Sequence, residues 1–387
     1  LLVGLGGNGG KIVQLLAGRL RRHPNWERIK SMTHFVGIDT NKDDLDKLKD
    51  IPVENRFLIS AFDARAYIER KRGQRELQED KLVTQWVPST YQFRSTQGAG
   101  AGQIRMESRL RLYYNLEEDR RGIRKALQKL LDESTRRENP WRDNENRVVR
   151  VMVYGSVAGG TGSGGFLPMA YLLRRMVLDA GWGRPSVTGV LTLPTAFLDK
   201  VKPQLHPDIL ANGYSALKEL EYLNRQLDYA GGSSEIEFHY DPGSQDRDRQ
   251  VVGERPFTLT YLIDRPDQLS IEKYENAVAD ACYLQIFSPL LGAQAGEYDN
   301  YEKHQKKLAL GHFSVHYGSF GTALLQLPRR DLLKYAGLRY VASAFRQFLC
   351  FGADHPDFQV PYGDPAFQRL EPNEKNRRID EKFKGYV

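Results

Sequence analysis

Three glycine-rich turns, each placed after an extended segment and each opening a helix, constrain this sequence more than any other feature. They are Gly4-Leu5-Gly6-Gly7-Asn8-Gly9-Gly10, Gly98-Ala99-Gly100-Ala101-Gly102 and Gly159-Gly160-Thr161-Gly162-Ser163-Gly164-Gly165. The first N–H groups of a helix have no intrahelical partner and carry partial positive charge, so they attract phosphate. Glycine lets a backbone come close to a ligand oxygen and adopt positive φ, forming an anion nest. One such turn says little. Three in one chain predict a polyphosphate held from several sides.

The residues around these turns read as an α/β protein with a doubly wound, largely parallel sheet. Extended segments are expected at 1–5, 33–38, 56–60, 147–154, 186–193, 257–264 and 319–327. Helices are expected after Gly10 and Gly165 and over 64–72, 76–83, 105–137, 209–227, 271–291 and 331–349. Asn139-Pro140 ends the long basic helix, because proline disfavours the helical conformation in the residue before it. The segment 231–253, rich in Asp, Gly and Ser, reads as a surface loop or flap. Helix 271–291 carries apolar residues on most faces, the pattern of a central, buried helix. The expected division is a nucleotide domain over 1–270, a connecting helix over 271–295 and a second α/β domain over 296–387.

Composition narrows the class of protein. The 387 residues, 40% hydrophobic and 27% charged, suffice for a substantial core and exclude long disorder or a disulfide-stapled mini-protein. Apolar runs stay far below the roughly 20 residues that cross a bilayer. No signal peptide opens the sequence, so a cytoplasmic protein is expected. It begins Leu1-Leu2-Val3 without a methionine, and further residues are expected before it. The net charge of +7 favours anionic partners. Cys282 and Cys350 lie in apolar surroundings without metal-ligand spacing and read as buried free thiols. The eight histidines also lack such spacing, so a metal site built of side chains is not expected.

The first turn matches GxGxxG after a strand, and Asp39 ends the next strand, as in a dinucleotide fingerprint. Asp39 follows Gly9 by 30 residues, more than the roughly 20 of that fold. Taken alone, this turn suits NAD or another nucleotide equally. The second turn follows the most apolar strand and lacks the Gly-Lys-Ser/Thr ending of a P-loop, so no lysine serves the phosphates. Thr161 and Ser163 add hydroxyl donors to its row of N–H groups.

At Ala158-Gly159-Gly160-Thr161-Gly162-Ser163-Gly164 the sequence resembles the tubulin/FtsZ superfamily, whose phosphate loop reads GGGTGSG or GGGTGTG, with Ala158 in place of the first glycine. The resemblance continues in order. Gly6, Gly7, Asn8 and Gly9 look like that family's first phosphate loop. Asp39-Thr40-Asn41 is similar to its NTD segment, which approaches the phosphates and metal. Gly98, Ala99, Gly100, Ala101 and Gly102 resemble the loop that touches the terminal phosphate. Thr192-Leu193-Pro194 matches the T-x-P before the ribose-contacting segment, and Asp264 falls where a base-contacting Asn stands. Asp280 falls where the family reads the base with Asp or Asn. Two carboxylate oxygens suit the N1–H and N2–H₂ donors of guanine, though an aspartate satisfied at a helix edge looks the same in sequence.

The resemblance implies GTP or GDP as ligand, with Mg²⁺ held mainly through the phosphates. It implies head-to-tail self-association into filaments, with hydrolysis at the interface when an acidic loop of one subunit meets the γ-phosphate of the next. Glu297, Asp299 and Glu302 lie in the corresponding stretch, which also reads as solvated surface. The family's ribose-contacting Glu and Arg have no counterpart in 195–202. The arginines of 105–137 alternate with acids, as on a solvated face or protein interface rather than a nucleic-acid groove. Two rivals stand beside a GTPase: a nucleotide-binding scaffold within a larger bacterial assembly, and an NAD-dependent enzyme.

Overall fold

The protein is described here by a computed structural model covering residues 1–59, 63–73, 86–88, 90–92, 104–117, 122–135, 149–181, 185–229, 235–242, 251–287, 317–321, 329–348 and 365–383. It divides into two compact units, Leu1–Thr322 and Ala323–Val387.

The strands of the first unit are β1 (Leu2–Leu5), β2 (Phe35–Asp39), β3 (Arg56–Leu58), β4 (Arg150–Ser156), β5 (Ser186–Thr192), β6 (Ile236–Glu237), β7 (Val251–Val252), β8 (Leu259–Ile263) and β9 (Tyr317–Gly318). Its described helices longer than one turn are α1 (Gly6–Arg21), α2 (Lys42–Asp46), α3 (Ala64–Gly73), α4 (Arg105–Glu117), α5 (Ile123–Thr135), α6 (Thr161–Asp179), α7 (His206–Tyr229) and α8 (Ile271–Phe287). The second unit contributes α9 (Arg329–Phe348) and α10 (Pro372–Phe383).

Seven strands form one parallel sheet in the order β3-β2-β1-β4-β5-β8-β9. Both faces are covered, so β1 and β2 are buried along their whole length, as Val/Ile/Leu-rich parallel strands usually are. Val3, Leu5, Val151, Val153 and Leu191 face the layer containing α6. Leu2, Met152, Tyr154 and Val190 face the layer containing α1 and α8. Each such side chain taken from water contributes about 1.5–3 kcal/mol. The strand order reverses between β1 and β4. Chain connections leave those two neighbours in opposite directions, and a crevice opens at their carboxyl ends, where doubly wound sheets bind ligands.

Several expectations need correction. The single helix expected over 105–137 is two, α4 and α5, and Gly122 just before α5 takes φ +65°, a left-handed conformation that ends helical runs. The basic face expected on a solvated surface or at a protein interface is, in α4, buried within the chain, with Arg109 7% and Arg111 2% exposed. Segment 231–253 is no simple surface flap: β6 and β7 pair antiparallel, and Phe238, Tyr240 and Asp241 pack inward. Asp241 is fully buried and ion-paired with Arg124, whose Nη1 donates at 2.8 Å. Helix α8 is buried on one face (Tyr274, Glu275, Val278, Ala279, Cys282), which packs along α1, and Leu284 is exposed. The strand expected at 319–327 is absent from 319–321, the short strand β9 coming just before it at Tyr317–Gly318, and 322–328 lie outside the described residues. Cys282 is a buried free thiol, and Cys350 lies outside the described residues.

Candidate functional site

Because β1 and β4 are parallel neighbours, the turns that follow them emerge side by side. Leu5 pairs with Gly155 in register, and the Cβ of an alanine at Gly162 would lie 2.6 Å from Ser156 O and 3.3 Å from Leu5 O. At Gly9 a Cβ would sit 2.2 Å from Tyr154 O. These two glycines exist so that the starts of α1 and α6 can press against the sheet edge. Gly6 needs glycine for another reason, since its φ of +72° is left-handed.

Helix N-termini are usually capped by a Ser, Thr, Asp or Asn side chain. Here both lack one: α1 begins after Leu5 and α6 after Gly160, neither with a side-chain cap, and neither has an acid in its first turn. Their free N–H groups border a cavity of about 590 Å³ lined by Leu5–Asn8 and Ala158–Gly162. Asp39, Thr40, Asn41 and Asp44, beyond β2, form one side wall. Phe197, Val201 and Ile209, beyond β5, form the other. The strand order sets β2 and β5 on opposite sides of the β1–β4 pair, so the acidic and apolar walls face each other across the glycine turns.

Asp39 is 5% exposed. Its Oδ1 accepts from Thr40 N at 2.6 Å, Asn41 N at 3.2 Å and Thr161 Oγ1 at 3.2 Å. The hydroxyls of Thr40 and Thr161 are 3.0 Å apart. Burial pushes the Asp39 carboxyl up to about 6, partly opposed by the Asn41 and Thr40 N–H groups. An aspartate folded onto the second glycine turn in this way does not project toward a ribose as the acid of a dinucleotide fold does. Asn41 caps α2, accepting from Asp43 N at 3.0 Å.

Helix α4 braces the second turn from behind. Arg105 donates from Nε to Ser163 Oγ at 3.1 Å and from Nη2 to Ser163 O at 3.2 Å. Pro168, inside α6, has no N–H for the Gly164 carbonyl four residues earlier. Arg109 supplies the missing donor, Nε to Gly164 O at 3.0 Å. Both guanidiniums converge on Glu219 of α7 at 2.8 and 2.5 Å. Burial pushes the Glu219 carboxyl up, but Arg109 and Arg105 more than offset it and hold it at about 2. The third glycine turn, Gly98–Gly102, lies outside the described residues, yet α4, the helix after it, starts against the second.

A second network runs behind α1. The Tyr274 hydroxyl lies 3.1 Å from Thr192 Oγ1, which donates to Asn8 Oδ1 at 2.9 Å, and Asn8 Nδ2 donates to Glu275 Oε1 at 3.1 Å. The chain of donors fixes which way the Asn8 amide points. Glu275 is buried and its carboxyl is raised by that burial. Sequence reading missed Glu275, although a carboxylate sharing a helix face with Val278, Ala279 and Cys282 is itself a signal.

Of the residues singled out in sequence, the structure brings Gly6–Asn8, Asp39–Asn41 and Gly159–Gly162 to one cavity, with Gly9, Ser163 and Gly164 packed directly behind it. Thr192 joins through Asn8, and Gly213 packs on Pro194. Asp264 accepts from Thr195 Oγ1 at 2.6 Å and Arg265 N at 2.8 Å, clamping the turn after β5. Asp280 does not line the cavity: its carboxylate accepts from Arg19 Nε at 2.5 Å, far along α1. Glu297, Asp299 and Glu302 lie outside the described residues. Among the described residues no three His, Cys, Asp or Glu side chains form a metal-holding group, and no helix is long and apolar enough to cross a membrane.

The GDP-bound CetZ1 monomer of Haloferax volcanii is 17% identical, covering 73% of this chain and 56% of its own, with a TM-score of 0.37. CetZ of Methanosaeta thermophila is 13% identical, covering 80% and 59%, with a TM-score of 0.39. A GTPγS-form protofilament of Bacillus thuringiensis TubZ is 14% identical, covering 73% and 55%, with a TM-score of 0.38. This chain thus spans a little over half the length of each. No curated protein matches the sequence. A family model described as "Tubulin like" matches residues 1–346, and the chain belongs to that tubulin-like family.

Proposed function

We propose that this chain binds GTP and GDP in the cavity between α1 and α6 and assembles head to tail, with hydrolysis completed between subunits. The observation that carries the reading is the pair of uncapped helix N-termini opening on one cavity, with the strand order placing them there. Main-chain N–H groups and the Thr161 hydroxyl would take the phosphates, with no lysine needed. Asp39 and Asp44 suit a hard cation, and with these as the acids lining the cavity among the described residues, Mg²⁺ would keep waters and phosphates as its main ligands. The cation supplies charge neutralisation on the phosphates. Within the chain, Arg105 and Arg109 hold the second turn rigid, and Thr192 and Glu275 orient the Asn8 amide at the cavity lining, where it would meet the nucleotide. The water-activating acid would come from a neighbouring subunit, with Glu297, Asp299 and Glu302 as candidates.

Phosphate release from Mg·GTP, measured against protein concentration, tests the reading. A site shared between subunits gives a rate that rises more than linearly. Strictly linear release points to a self-contained site. GTP binding without release points to a nucleotide-dependent scaffold.

A further inference from the structure

The two side walls of the cavity differ in chemistry, and this bears on what part of a nucleotide is recognised. The wall after β2 presents Asp39 and Asp44, which repel phosphate and favour a cation. A nucleoside leaving the glycine turns is therefore directed to the opposite wall, after β5, made of Phe197, Val201 and Ile209. These side chains offer neither donor nor acceptor to a sugar hydroxyl.

Four polar side chains of the same segment, those of Thr195, Asp199, His206 and Asn212, are engaged elsewhere. Thr195 Oγ1 donates to Asp264 at 2.6 Å, and Asp199 is ion-paired with Arg265. Arg265 Nε also donates to Ala196 O at 2.8 Å. The His206 ring Nε2 lies 3.0 Å from Val201 O, and Asn212 Nδ2 donates to Ala158 O at 3.0 Å. These contacts hold the turn in its own shape and tie it to the glycine turn after β4.

Resting on the guanine-nucleotide reading above, we infer that this site reads the phosphates and the base but not the ribose hydroxyls, so that its ligands include 2′-deoxy and 2′,3′-dideoxy guanosine triphosphates. A site that hydrogen-bonds a hydroxyl rejects the analogue lacking it strongly, because its own polar groups are left unpaired; an apolar wall has nothing to leave unpaired.

Calorimetric titration of the intact chain with GTP, dGTP and ddGTP in Mg²⁺ tests this. The expected result is dissociation constants for all three within about threefold, less than the loss of one well-made hydrogen bond. Tight GTP binding with dGTP or ddGTP weaker by more than that overturns the inference and leaves the nucleotide reading intact. Failure of GTP itself to bind overturns both. In Phe197→Ala the three ligands should weaken together, by roughly three- to tenfold for lost apolar contact; unchanged binding of all three would contradict the placement of the nucleoside on this wall.

Discussion

Asn8 and Glu275 are hydrogen-bonded at 3.1 Å between the first turn of α1 and the buried face of α8, while Asp280, five residues further along α8, is held by Arg19. The residue that meets the cavity is Asn8, and Glu275 is the group that positions it. Glu275→Ala is expected to weaken GTP binding about three- to tenfold, the scale of one hydrogen bond. Asp280→Ala should leave affinity unchanged and lower stability by only about 0–1 kcal/mol, as for a partly exposed ion pair. Calorimetry on both variants decides. Loss of guanine preference in Asp280→Ala alone would return base reading to that residue.

Gly159 and Gly162 separate ligand contact from packing. A Cβ at Gly159 would meet nothing within 4 Å, whereas at Gly162 it would lie 2.6 Å from Ser156 O. Gly162→Ala is expected to destabilise the fold by about 1–3 kcal/mol through overpacking. Gly159→Ala should fold with unchanged denaturation midpoint. A midpoint lowered as far as that of Gly162→Ala would refute the open position.

Asp39 gives a signed pH dependence. Its carboxyl ordinarily titrates near 3.8 and here near 6. Between those values the folded chain keeps a proton that the unfolded chain has lost, so stability falls as pH rises through this window and stays lowered above it. Asp39→Asn retains an Oδ1 acceptor and carries no charge. At about pH 7.5 without ligand or Mg²⁺ it should gain roughly 1–3 kcal/mol, and almost nothing near pH 4. Urea denaturation at the two pH values measures this, and equal effects at both would count against a buried, reluctant carboxylate.

Glu219 is the shared anion of two arginines, and removing it leaves Arg109, with 8% of its side chain exposed, as a buried charge without its carboxylate. Glu219→Ala is expected to cost about 3–5 kcal/mol, the usual penalty for breaking a buried pair from one side. A cost below about 1 kcal/mol, typical of surface pairs, would show that water supports Arg109 instead.

Much of this molecule was legible in its sequence because β1, β2, β4, β5 and β8 are short apolar runs bounded by glycine or turn residues, and their order with helices leaves few topologies. The two glycine turns identified the cavity for the same reason, since glycine there is demanded by main-chain approach. What escaped reading were long-range polar pairs. Arg105 and Arg109 look like a solvated face until Glu219, more than a hundred residues away, is placed beside them. Glu275 and Asp280 are both acids on one helix, and only the packing of α8 along α1 decides which of them meets Asn8. Gly122 hides a helix break because its left-handed φ depends on where α5 must go.

The most direct test of the account is equilibrium titration of the intact chain and its Gly159→Ala variant with GTP in Mg²⁺. The wild-type chain should bind one GTP, and the variant, equally stable, should bind at least roughly tenfold more weakly, about 1.4 kcal/mol. Equal affinity in the two proteins, or no binding of GTP by the wild type, would contradict a phosphate chain cradled by the N-termini of α1 and α6.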